Sequence, residues 1–152
     1  MSGDHTPFPV LHTSFDETLG VFSPDGGWIA FTSNENGQPR IFVRAFPTPG
    51  VTRPISPGAG RIPLWRGDGK ELFYLSQGTL MAVAIDLTGD DIRPGHPRPL
   101  FVVGAPESSP TRTYAVTADG QRFFSNARPQ QPTAEPLTVV INWLAALRPS
   151  PQ

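Results

Sequence analysis

The chain has 152 residues and a mass of 16.5 kDa, the size of one domain that can bury a real core. Twelve basic residues against thirteen acidic ones leave a net charge of −1. With Lys70 the one lysine and the arginines scattered, nothing argues for nucleic acid or an anionic membrane surface. Cysteine is absent, which excludes disulfides, thiolate zinc sites and cysteine nucleophiles.

No apolar run approaches the ~20 residues of a membrane helix, so no membrane insertion is expected. The first twenty residues lack the basic start and apolar stretch of a signal peptide. Nineteen prolines and fifteen glycines fall between short segments rich in β-branched and aromatic residues, the arrangement of frequent turns separating strands.

In chain order, Pro9 to Thr13 reads as an isolated strand within an N-terminal segment 1–16. Three segments then align on an Asp-Gly pair: Val21 to Ser33 around Asp25-Gly26, Leu64 to Ser76 around Asp68-Gly69, and Ala115 to Asn126 around Asp119-Gly120. The aspartates lie 43 and 51 residues apart, the period of propeller blades. Asp-Gly supplies the positive φ that a tight hairpin turn needs. The runs that follow, Trp28 to Phe31 and Leu72 to Leu75, are apolar without alternation, as in strands covered on both faces. Hairpins through Asn34 to Gln38 and through Gln77-Gly78 lead into Ile41 to Val43 and Leu80 to Ile85, and looser fourth strands follow near Val51 to Ile55 and Pro99 to Val103. Four antiparallel strands per unit make a blade. The boundaries are 17–60, 61–110 and 111–148, the last incomplete, with Leu137 to Trp143 as a strand and 149–152 as a tail.

Phe22-Ser23-Pro24-Asp25-Gly26 followed by Trp28-Ile29-Ala30-Phe31 resembles the repeat of TolB-like, WD-repeat-like β-propellers, and so do the segments Trp65 to Tyr74 and Tyr114 to Phe124. The second departs from it with Arg66-Gly67 in place of Ser-Pro, the third with Thr117-Ala118. The resemblance spans Pro7 to Arg148 and implies an all-β fold of about three four-stranded blades. It is to the C-terminal part of bacterial propellers that are fused to serine/threonine kinase domains or occur in periplasmic proteins, and only this likeness favours an extracytoplasmic location. Family propellers carry six or more blades. Three leave two sheet faces open, so the chain is expected to be the end of a longer protein, its start set into a pre-existing blade. The alternative is a homodimer whose two copies close a six-bladed ring.

No catalytic constellation emerges. Ser23 lacks the flanking glycines of a nucleophile elbow, and His5, His12 and His96 form no metal-ligand spacing. Asp86 to Asp91 lacks the order of a calcium loop, with Pro97 where the bidentate glutamate would stand, and reads as an acidic hairpin turn. Gly58-Ala59-Gly60 lacks the rest of a phosphate loop. Asp25, Gly26, Asp68, Gly69, Asp119 and Gly120 read as turn residues. No catalytic residue, metal or cofactor is therefore expected. Thr18, Arg61 and Arg112 stand seven residues before the turn aspartates, where a propeller chain enters a blade's innermost strand. They are the candidate channel-mouth residues for a carboxylate, a phosphate or an acidic partner loop. The expected function is non-enzymatic binding of a protein or peptide, implied by the TolB-like resemblance. The alternatives are a propeller accessory to a prolyl-oligopeptidase-like peptidase, or a metal-dependent lactonase-type enzyme.

Overall fold

A computed structural model describes residues 9–11, 13–47, 50–88, 91–103 and 113–125. Those residues form no helix, and their strands make antiparallel sheets of four, five and two strands. The first sheet holds β1 (Glu17–Phe22), β2 (Trp28–Ser33), β3 (Arg40–Ala45) and β4 (Thr52–Pro54) in that order. The second is built from β5 (Arg61–Trp65), β6 (Glu71–Ser76), β7 (Thr79–Thr88), β8 (Asp91–Pro94) and β9 (Arg98–Val102), and the third from β10 (Tyr114–Val116) and β11 (Phe123–Ser125).

Two-sided burial organises these sheets. All six residues of β2 are buried, and alternate side chains serve opposite faces because successive Cβ atoms of a strand point to opposite sides. Trp28 and Ala30, with Ile41 and Val43, pack against Trp65, Leu72, Tyr74, Val83 and Ile85 of the second sheet. The other row of that sheet, Phe73 and Leu75, packs with Ile62, Leu80 and Tyr114, and Phe123 of the third sheet lies against it. Side-chain bonds to backbone also cross the junctions: Trp65 Nε1 donates to the Val21 carbonyl at 3.3 Å and Tyr114 Oη to the Ile62 carbonyl at 2.7 Å. Arg53 on β4 and Asp91 at the start of β8 pair at 3.2 Å. At one end Ile29, Phe31 and Phe42 are buried, with Leu11 and Phe46 packed on them among the described residues; at the other Phe124 is 74% exposed.

The observed strands depart from the expected pattern in three places. Pro9, Val10, Leu11 and Thr13 are not in a strand; proline cannot donate to a ladder, and the Thr13 hydroxyl instead turns the chain by accepting from the Phe15 N–H. The second sheet has five strands where four were expected. The ten residues of β7 outrun their edge partners, so Ile85 to Thr88 pair with β8 and Thr79 to Ala82 with β9. The third sheet shows two strands among the described residues, and the expected strand at 137–143 lies outside them.

The edge strands that open the first two sheets are interrupted at one equivalent position. The registers of β1 and β5 shift between Thr18 and Val21 and between Arg61 and Leu64. There Leu19 and Ile62 adopt φ of 56° and 59°, a conformation that is a genuine outlier for a bulky or β-branched residue.

The three Asp-Gly turns meet in a row. Pro24 of the first approaches Gly69 of the second, and the Gly67 N–H donates to the Ala118 carbonyl at 2.8 Å. A Cβ on Gly67 would stand 2.8 Å from that carbonyl oxygen, which explains why glycine replaces the proline of the first repeat. Gly67→Ala is therefore expected to cost about 1–3 kcal/mol through overpacking. Gly58→Ala, with nothing within 4 Å of the added carbon, is expected to stay within about 0.5 kcal/mol. Urea denaturation of the two variants checks the contrast.

Candidate functional site

The turn residues serve the backbone. Gly26, Gly69 and Gly120 have φ of 74°, 73° and 71°, and the aspartate before each accepts from an amide two residues on: Gly27, Lys70 and Gln121, each at 3.0 Å. Asp25 also accepts from the Ser23 hydroxyl, whose oxygen receives the buried Trp28 N–H at 2.9 Å. The Ser23 hydroxyl, and after it the Gly27 N–H, hold the Asp25 carboxyl below its ordinary range. Asp119 is lowered in the same way by Thr117 and then Gln121. Asp68 instead has Arg66 at 3.0 Å, and the same guanidinium reaches Glu71 at 3.8 Å, which Arg98 holds at 2.7 Å. The turns abut one another, yet each carboxylate is turned inward on its own loop.

Where the sequence suggests an acidic hairpin turn, β7 and β8 pair antiparallel, with Asp86 opposite Arg93 and Thr88 opposite Asp91. Arg53 and the Ile92 N–H engage Asp91 and lower its pKa. Among the described residues no three His, Asp or Glu side chains gather as a metal group. His96 is exposed, while His5 and His12 lie outside the described residues.

The opposite end of the strands carries a cleft. Thr18 and Thr32 are cross-strand partners on β1 and β2, and Thr32 continues the row of Trp28 and Ala30 toward the second sheet. Arg61 opens β5 on the far side. These three line a cleft of about 510 Å³ with Phe15, Asp16, Asn34 and Glu17. Asp16 and Asn34 pair twice: the Asp16 N–H donates to Asn34 Oδ1 and the Asn34 amide to Asp16 Oδ2, each at 3.0 Å. Glu17 accepts from the Thr13 hydroxyl. Thr32 is 3% exposed, yet its Oγ1 has no hydrogen-bond partner, and neither has the buried Nε of Arg61.

Thr18 and Arg61, expected at equivalent positions, are thus brought to one cleft; Arg112 lies outside the described residues. Thr32, Asp16 and Asn34 went unremarked as site residues. The one signal for Thr32 was a polar residue extending the apolar run Trp28 to Phe31. Asn34 was read only as a hairpin residue, because nothing local indicates that it pairs eighteen positions back. No family model and no curated protein matches this chain.

A carboxyl lowered in the folded state stabilises the fold fully above its unfolded pKa, and this contribution is lost as pH falls through the lowered folded value. Stability is therefore expected to fall with pH from about 4 downward. Ser23→Ala should lower stability at pH 7 by about 1–3 kcal/mol, because it strips the buried Trp28 N–H of its acceptor. The same change should flatten the acid loss, since Asp25 then titrates nearer its unfolded value. Thermal unfolding between pH 7 and 2 reads both; an acid slope identical to the parent's would contradict this role for Ser23.

Proposed function

We propose that this chain is a non-enzymatic binding module of the TolB-like β-propeller kind, taking a protein or peptide partner at the cleft between its first two sheets. The observation that carries the reading is the convergence of Thr18, Thr32 and Arg61 from two sheets on one open polar cleft of about 510 Å³, of a size to admit a few side chains. Its position at the innermost strands, opposite the Asp-Gly turns, is where a propeller's channel would open. Fold likeness alone would not assign a function; the cleft is what gives this one a location.

In this reading the three sheets are successive blades. The Ile29, Phe31 and Phe42 face, on which Leu11 and Phe46 pack among the described residues, and the exposed Phe124 are the two ends of a partial ring. By the repeat, Ile29 and Phe31 occupy the positions of Leu72 and Tyr74, and Phe124 that of Phe73. The end faces therefore match the two sides of the junctions already formed, and further blades of a longer chain or of a second copy would extend the same stacking. Light scattering on the eluting chain separates these: a species at twice 16.5 kDa is expected of a three-plus-three ring, whereas a monomer rules that ring out.

Selection of displayed peptides against the purified chain tests the binding function. Enriched sequences that bind saturably with micromolar to submillimolar affinity, and that perturb residues around the cleft, are expected. An absence of any saturable binder would overturn the reading.

A further inference from the structure

We propose that the cleft at Arg61 recognises a carboxylate that has a cationic group close beside it, and this deepens the binding-module reading on which it rests. Four of the eight described arginines are engaged through their side chains. Arg40 holds the Ser56 carbonyl at 3.1 and 2.6 Å, Arg53 holds Asp91, and Arg66 and Arg98 hold Glu71. Among the described residues Arg61 has no ion pair, and its buried Nε–H has no acceptor. Across the cleft the Thr32 hydroxyl, almost wholly buried, is likewise without a partner, with the Thr18 hydroxyl beside it in register.

Buried donors without acceptors are rare in folded chains, because each forfeits its hydration and gains nothing in return. Two of them on facing walls of one cleft describe a site that lacks an acceptor. A guanidinium with neighbouring hydroxyls suits a carboxylate, whose two oxygens accept in parallel. The strained Ile62, immediately after Arg61, lies in the bulge that sets Arg61's direction; bulges of this kind re-aim side chains next to functional sites.

The rest of the cleft narrows the choice. Asp16 and Glu17 both line it, and the donors that reach them, Asn34 and Thr13, are neutral. Two carboxylates against one guanidinium give the cleft a net negative charge. A phosphate dianion is repelled there, while a single carboxylate accompanied by an ammonium or guanidinium satisfies both walls. Repulsion of the wrong ligand contributes to specificity as much as attraction of the right one. A Glu or Asp beside a Lys or Arg in a peptide carries this pair of charges, and so does a free amino acid.

The test is NMR titration of the 15N-labelled full chain, following the Arg61 Nε–Hε signal and the Thr32 amide. The probes are a terminally blocked Lys-Glu-Lys peptide, its Lys-Gln-Lys counterpart, free glutamate and inorganic phosphate. The Glu peptide is expected to shift both signals saturably and to bind about tenfold or more tightly than the Gln peptide, the difference of one charge-assisted bidentate pair; phosphate is expected to leave them in place. Arg61→Gln should lose that preference with the remaining spectrum unchanged, and Arg61→Lys should restore part of it. Free glutamate matching the blocked peptide assigns the carboxylate to a small amino acid; a response to the peptide alone assigns it to a chain segment. Equal binding of the Glu and Gln peptides, a preference that survives Arg61→Gln, or no shift with any probe overturns the proposal. Display-selected peptides that bind parent and Arg61→Gln equally would remove the carboxylate site and leave the binding module standing.

Discussion

The contact on which the structure depends is the face-to-face seating of the first sheet on the second, with Trp28, Ala30, Ile41 and Val43 meeting Trp65, Leu72, Tyr74, Val83 and Ile85. Each side of this junction is an alternate row of strands buried on both faces, so neither sheet can satisfy its own apolar surface alone. Burial at roughly 25 cal/mol per Å² of apolar area makes such a seam the principal source of stability in a chain without cysteine whose described residues form no helix. The Trp65 indole bond to the Val21 carbonyl ties β5 to β1 across the junction. The cleft is a consequence of that seating: the row Trp28, Ala30, Thr32 passes from apolar to polar at its last member, and Arg61 arrives from the facing sheet at that level.

The two ends of the strands consequently do different work. At the Asp-Gly end, carboxylates bond their own loops and neighbouring turns touch through Gly67 and Ala118, so polar groups are consumed in holding the backbone. At the other end, bulges with Leu19 and Ile62 at positive φ interrupt the ladder, and buried donors are left without acceptors. Strain and unmet hydrogen bonding at one end, against satisfied turns at the other, are the physical grounds for the proposal that the cleft binds a partner.

Much of the architecture was legible in the residues. Asp25-Gly26, Asp68-Gly69 and Asp119-Gly120 announce turns through local backbone chemistry, and runs such as Leu72 to Leu75 announce strands without an exposed face. Where local chemistry is silent, the reading failed. The apolar residues of Pro9 to Thr13 looked like a strand, but no ladder partner is specified by sequence, and Leu11 packs as a single side chain on the end face. The extra strand β8 escaped notice because the length of β7, which leaves room for two edge partners, is a property of pairing and not of composition. The register of Thr18 and Arg61 before the turn aspartates could be counted along the chain. The pairing of Thr18 with Thr32, and of Asp16 with Asn34, depends on a bulge that no residue type signals.

Native-state hydrogen exchange tests the stacked-sheet account most directly, because it reads the free energy at which each strand opens. If the seam carries the fold, the amides of Ala30 and Val43 in the first sheet and of Phe73 and Val83 in the second will exchange at one common free energy, that of global unfolding. Protection of the second sheet persisting while the first opens independently at much lower free energy would contradict it.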